Sequence, residues 1–178
     1  MVRKRRIRGR WLVAAAMVLP FTLVAQAQGQ ATATEPVVLV VNGEVKQKLR
    51  LSTADIKAMT RTKVTVKGHD GVSHEYEGVT LQSLLTKAGV PQGHEIRGKN
   101  MTLVVVADAS DGYRVVFSLA ELDADFAGEQ VIVADTEDGK ALDAQHGPVQ
   151  LVVPGGKRQG RWVRMLNGIS VFKAGESK

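Results

Sequence analysis

From residue 37 onward the chain is a series of short apolar runs broken by Asx-Gly pairs. In VVLVVNGEVKQKLRLS two strand-like runs flank Asn42-Gly43, the strongest two-residue hairpin signal. Ser52-Thr-Ala-Asp55 puts a capping oxygen three residues ahead of an acid and predicts a short helix ending near Thr60. RTKVTVKG alternates, Asp70-Gly71 turns the chain, and VSHEYEG returns. Thr80 caps LQSLLTKAG, whose Leu81, Leu84, Leu85 and Ala88 share a face, with Gly89 as its stop. MTLVVVADA is apolar on both faces and predicts a central strand. Asp111-Gly112 leads into YRVVF, and Ser118-Leu-Ala-Glu121 is a second capping box opening one helical turn. QVIVADT, Asp138-Gly139 and KAL make a further hairpin, and PVQLVVPG and GISVFK close the pattern. Short strands, tight turns and a few short helices predict a single α+β domain over 37–174, mainly antiparallel.

The first 27 residues follow another pattern. Six Lys or Arg lie in the first ten residues, the apolar stretch Trp11–Ala25 follows, and Ala25-Gln26-Ala27 supplies small residues for cleavage. This predicts a secretory signal peptide cut after Ala27, and a periplasmic or secreted product. The apolar stretch is shorter than the ~20 residues of a membrane span, and no second candidate follows, so none is expected after cleavage. Residues 28–36, QGQATATEP, read as a disordered leader. Arg5-Arg6 sits in KRRIRG, with a charge where a twin-arginine signal has an apolar residue, which leaves the export route open.

That segment changes the meaning of the net charge. It carries six of the 24 Lys and Arg, and the remaining 18 balance the 18 Asp and Glu. A formally neutral domain argues against nucleic acid as a partner. The chain has no cysteine, which excludes thiolate metal sites, iron–sulfur clusters and thiol catalysis.

Candidate chemistry gathers in GPVQLVVPGGKRQGRWVRMLNG, residues 147–168. A turn holding Gly155, Gly156 and Gly160 exposes backbone N–H groups, and Lys157, Arg158, Arg161 and Arg164 add cations suited to an anion. Arg161 and Arg164 share a side if the stretch is helical. Trp162 offers a flat face for a ring, and His146 stands just before the strand entry, where it can point to the turn. A solvated basic turn is the plainer reading. His69 and His74 flank Asp70-Gly71 and with Asp70 could offer two nitrogens and an oxygen to a metal, although such residues more often line a turn, and no metal site is assigned. Ser118 is a helix cap rather than a nucleophile, and Asp123, Asp125, Asp135 and Asp138 read as a solvated acidic edge.

These residues resemble a known family. HGPVQLVVPGGKRQGRWVRMLNGISV resembles the closing segment of the sulfite oxidase fold, the oxidoreductase molybdopterin-binding domain. Gly147, Pro148, Val152, Pro154 and Gly155 fit its first half; Arg161, Val163, Arg164, Leu166, Ile169 and Val171 fit its second. YEGVTLQSLLTKAGV and ADASDGYRVVFSLAELD resemble further segments of small bacterial members. The resemblance implies a molybdenum-bearing pterin whose phosphate is gripped by Arg and Lys, and whose metal takes one cysteine thiolate. Arg161 and Arg164 stand at the matching cation positions, and Gln150 replaces an expected Arg. Where the thiolate is expected the chain offers Lys67, Gly68 and His69.

Three readings follow. The first is an exported, non-catalytic protein that binds a small anionic or pterin-like ligand through Lys157, Arg158, Arg161, Arg164, His146 and His69. The second is a molybdopterin-dependent oxidoreductase with a cysteine-free metal site, in which imidazole from His69 replaces the thiolate. The third is an interaction module whose arginine turn meets the carboxylates of a periplasmic protein partner.

Overall fold

The computed structural model describes residues 35–68, 71–156 and 158–175. The signal-like segment, nearly all of the leader, His69, Asp70 and Lys157 lie outside the described residues. No helix among the described residues is long and apolar enough to cross a membrane.

Two five-stranded sheets carry the chain. Its strands are β1 (Val37–Gly43), β2 (Leu49–Ser52), β3 (Thr62–Lys67), β4 (Ser73–Thr80), β5 (Leu103–Ala109), β6 (Arg114–Ser118), β7 (Ile132–Glu137), β8 (Lys140–Ala141), β9 (Gln150–Val152) and β10 (Leu166–Lys173). The helices are α1 (Thr53–Lys57), α2 (Leu81–Lys87) and α3 (Leu119–Leu122), supplemented by short 3-10 turns. One sheet has the order β2-β1-β10-β5-β6; the other runs β3-β4-β7, with β8 and β9 both on the far edge of β7. All pairs are antiparallel except β1 with β10. The α+β, mainly antiparallel expectation holds.

The local signals succeed where their partners are local. Ser52 accepts from the Asp55 N–H while the Asp55 carboxylate accepts from the Ser52 N–H, and Ser118 and Glu121 repeat the arrangement at α3. The Thr80 hydroxyl accepts from the Ser83 N–H and opens α2. One expectation is corrected. Asn42-Gly43 is not a two-residue turn, because both residues continue β1 and pair with Ser170 and Val171 of β10. Gly43 sits at φ +96, and a side chain there would collide with the Val171 backbone, so glycine serves the close approach of β10. The return to β2 takes the longer path 44–48. MTLVVVADA supplies β5, an interior strand as expected, flanked by β10 and β6.

The core draws on both sheets, and on both faces of β7. Leu39, Val41, Val105, Phe117, Ile169 and Val171 come from the first sheet; Val79, Ile132, Val133 and Leu151 come from the second. Ile56 of α1 and Leu81, Leu84 and Leu85 of α2 fill it further. Burying each such side chain stabilises the fold by about 1.5–3 kcal/mol relative to leaving it in water.

One charged pair enters this interior. The Asp135 side chain is 2% exposed, and Arg61 meets it with two N–H bonds of 2.9 and 2.6 Å while also donating to Glu77. Burial alone would raise the Asp135 pKa; hydrogen bonds from Arg61 and the Thr136 hydroxyl outweigh it and hold the carboxyl below its ordinary range. The folded-state pKa is therefore below the unfolded one. The pair's stabilisation is fully present above about pH 4 and declines as pH falls through the lower folded-state value. Arg61→Ala leaves a buried carboxylate without its cation, and the partly exposed arginine places the cost at about 2–3 kcal/mol. Urea unfolding at pH 7 measures that gap, and the gap between wild type and variant narrows below pH 4.

Candidate functional site

The segment from His146 to Arg164 is held at both ends. β9 pairs with β7, so that Gln150 stands opposite Ala134, and the Leu151–Val163 bridge folds the glycine-rich turn back over β9. Beyond it, the Met165 N–H donates to the His146 carbonyl at 2.9 Å and the Ser110 N–H donates to the Met165 carbonyl at 3.0 Å. These bonds fasten the turn to the strand entry and to the β5–β6 loop. Met165 adopts φ +48, in the left-handed region that a side chain rarely occupies. Such backbone costs about 1–3 kcal/mol and persists where surrounding bonds over-determine it.

A cleft of about 530 Å3 opens beside this segment, within the size range of small-ligand sites. Tyr76, Asp111, Tyr113, His146, Gln150, Gln159, Gly160, Trp162 and Arg164 line it. They come from β4, the β5–β6 turn, the β8–β9 connection, β9 and the stretch between β9 and β10. The Tyr113 hydroxyl donates to the Gly160 carbonyl and clasps two walls together. A Cβ at Gly160 would stand in open space, so packing alone does not require glycine there.

Arg164 is exposed in this cleft, and among the described residues no carboxylate pairs with it. His146 faces the cleft and is fixed from behind, its Nδ1 2.7 Å from Asp143 Oδ1. That bond holds the Asp143 carboxyl below its ordinary pKa. Gln150 is 3% exposed, and its Oε1 has no hydrogen-bond partner. A buried acceptor left unmade costs about 1–3 kcal/mol.

The other sequence-derived candidates go elsewhere. Arg161 does not share a side with Arg164, because only Gln159–Arg161 is helical, as a single 3-10 turn. Its guanidinium reaches Glu121 at 2.9 Å and Glu129 at 3.0 Å and lies 4.2 Å over the Phe117 ring. It joins α3 to the approach to β7 and is absent from the cleft lining. Arg158 is exposed outside the lining, and His69 and Lys157 lie outside the described residues. Trp162 offers no free face for a ring. It is 8% exposed, its indole N–H donates to the Val153 carbonyl, and it meets Tyr76 edge-to-face at 5.3 Å. Sequence reasoning missed Tyr76, Asp111 and Tyr113 as cleft residues. The one available signal was that Asp111 and Tyr113 flank a tight Asx-Gly turn.

Comparison with known proteins agrees with this architecture. The oxidoreductase molybdopterin binding domain model matches residues 28–178, and the chain belongs to that family. It has the sulfite-oxidase-like molybdopterin fold. Among solved structures it is similar to the sulfane dehydrogenase SoxCD from Paracoccus pantotrophus, with a TM-score of 0.61 and 24% identity, over 78% of this chain and 39% of that chain. The present chain thus spans well under half the length of that relative. A search of curated proteins finds no match.

Two variants test these placements. Gln150→Met removes the unpartnered amide and raises the stability of the ligand-free protein by about 1 kcal/mol in urea unfolding. Arg161→Ala loses two ion pairs and a cation–π contact, all partly solvated, and lowers stability by about 1–2 kcal/mol in the same assay.

Proposed function

We propose that this is an exported, periplasmic binding protein on a molybdopterin-domain scaffold, which holds a small anionic or pterin-like ligand non-catalytically in the Arg164 cleft. The observation that carries the reading is the exposed Arg164 guanidinium, which no carboxylate pairs among the described residues, in a cleft whose wall also includes Gln150. Arg164 suits an anionic group. The exposed Tyr113 adds ring surface. Asp111, at the rim, disfavours ligands that are anionic throughout.

The residues present do not fit a thiolate-held molybdenum. The chain has no cysteine, and the positions where the resemblance implies the thiolate hold Lys67, Gly68 and His69. Of the cations implied for the pterin phosphate, Arg161 is committed to Glu121 and Glu129, and Gln150 stands in place of another. Imidazole is a neutral and harder donor than thiolate and does not substitute electronically. No reaction step is therefore derived through that group.

The first test is elemental analysis with native mass spectrometry of the protein purified from its own host. The expected result is less than a tenth of an equivalent of molybdenum and a small molecule released on denaturation. Molybdenum near one per chain from a replete host overturns the non-catalytic reading. Arg164→Ala loses a charge-assisted hydrogen bond, worth about 1.5–3 kcal/mol, and weakens binding of the released molecule at least tenfold while leaving the unfolding midpoint unchanged. Unchanged affinity puts the ligand elsewhere.

A further inference from the structure

A second cluster of chemistry-bearing side chains stands on β4 and β7, apart from the ligand contacts proposed above. β4 and β7 are antiparallel, with Tyr76 opposite Glu137. His74 lies two residues before Tyr76, and Asp138 follows Glu137 at the start of the β7–β8 turn. The pairing brings the three side chains together. His74 Nδ1 is 2.8 Å from Asp138 Oδ2 and 3.6 Å from Glu137 Oε1, and one ligand atom from each residue lies within 4.8 Å of the others.

We propose that His74, Glu137 and Asp138 form a binding site for a divalent first-row transition cation of the zinc class. Three ligand atoms at ~2.1 Å from one ion are separated by roughly 3.0–3.4 Å, so the observed spacings need only small side-chain adjustments. One imidazole nitrogen and two carboxylate oxygens form a donor set that suits Zn2+ and leaves further positions for water.

Outer partners orient the carboxylates, as metal ligands require. Asp138 Oδ1 accepts from the Glu75 N–H at 2.9 Å, which leaves Oδ2 toward His74. Glu137 Oε1 accepts from the Tyr76 hydroxyl at 2.8 Å. Charge points the same way. Lys63 pairs with Glu75 and Glu77, and among the described residues no Lys or Arg forms an ion pair with Glu137 or Asp138. Two carboxylates therefore converge on a single imidazole, and a dication neutralises them. His146 with Asp143 supplies only two groups, and His94 belongs to no such cluster. The cation site does not depend on the ligand reading of the cleft, although Tyr76 touches both.

The test is isothermal titration of Zn2+ into untagged protein first stripped with a chelator. One equivalent binds saturably to the wild type. His74→Ala and the near-isosteric Glu137→Gln and Asp138→Asn each weaken it at least tenfold, with circular dichroism confirming that each variant is folded. His94→Ala and Arg164→Ala bind Zn2+ as the wild type does. Absence of saturable one-to-one binding overturns the proposal and leaves His74 as a hydrogen-bond partner of Asp138. Equal affinity in the folded triad variants also overturns it, since the ion is then held elsewhere.

Discussion

The seating of the closing segment is the constraint on which the rest of this molecule depends. At one end three residues of β9 lie on β7; at the other, β10 is inserted between β1 and β5. Everything between is suspended from these two anchors, and the Leu151–Val163 bridge sets how far the loop folds back. The glycine-rich turn thus has a fixed place despite having little regular structure. That is the general logic of a binding loop on a rigid scaffold: strands supply position, and the loop supplies chemistry.

Within that frame, neighbouring arginines have opposite roles. Arg161 looks inward to α3 and the approach to β7, and its two carboxylates and aromatic ring consume its charge. Arg164, three residues later, is followed by the strained Met165 and stands in the cleft. Family position alone does not separate them, because both occupy places where a cation is expected. What separates them is the supply of carboxylates within reach. Gln150 adds the complementary observation, a polar group that the fold buries without satisfying.

How much was legible follows from the reach of each interaction. The capping boxes at Ser52 and Ser118 were readable because donor and acceptor are three residues apart. The tight turns at Asp111-Gly112 and Asp138-Gly139 were readable for the same reason. Asn42-Gly43 misled because a parallel partner from the far end of the chain captured it, which no local pattern announces. His74 was seen as a possible ligand residue, but its carboxylate partners come from β7, across more than sixty residues. Arg161 was assigned to an anion because Glu121 and Glu129 are remote in sequence and adjacent in space. In each case the residue type was visible and the partner was not.

The parallel pairing of β1 with β10 carries a consequence for how the chain assembles. β1 and β10, neighbours in one sheet, lie far apart in the chain, and Val41 cannot find its place beside Ile169 until β10 has been made. Until then the β1–β2 hairpin has one edge without a partner, and an isolated hairpin is marginal in water. Closing so long a loop is slow, because the entropy of bringing the ends together is spent before any contact repays it. The first sheet therefore lacks its middle strand until β10 has been made and has paired with β1 and β5.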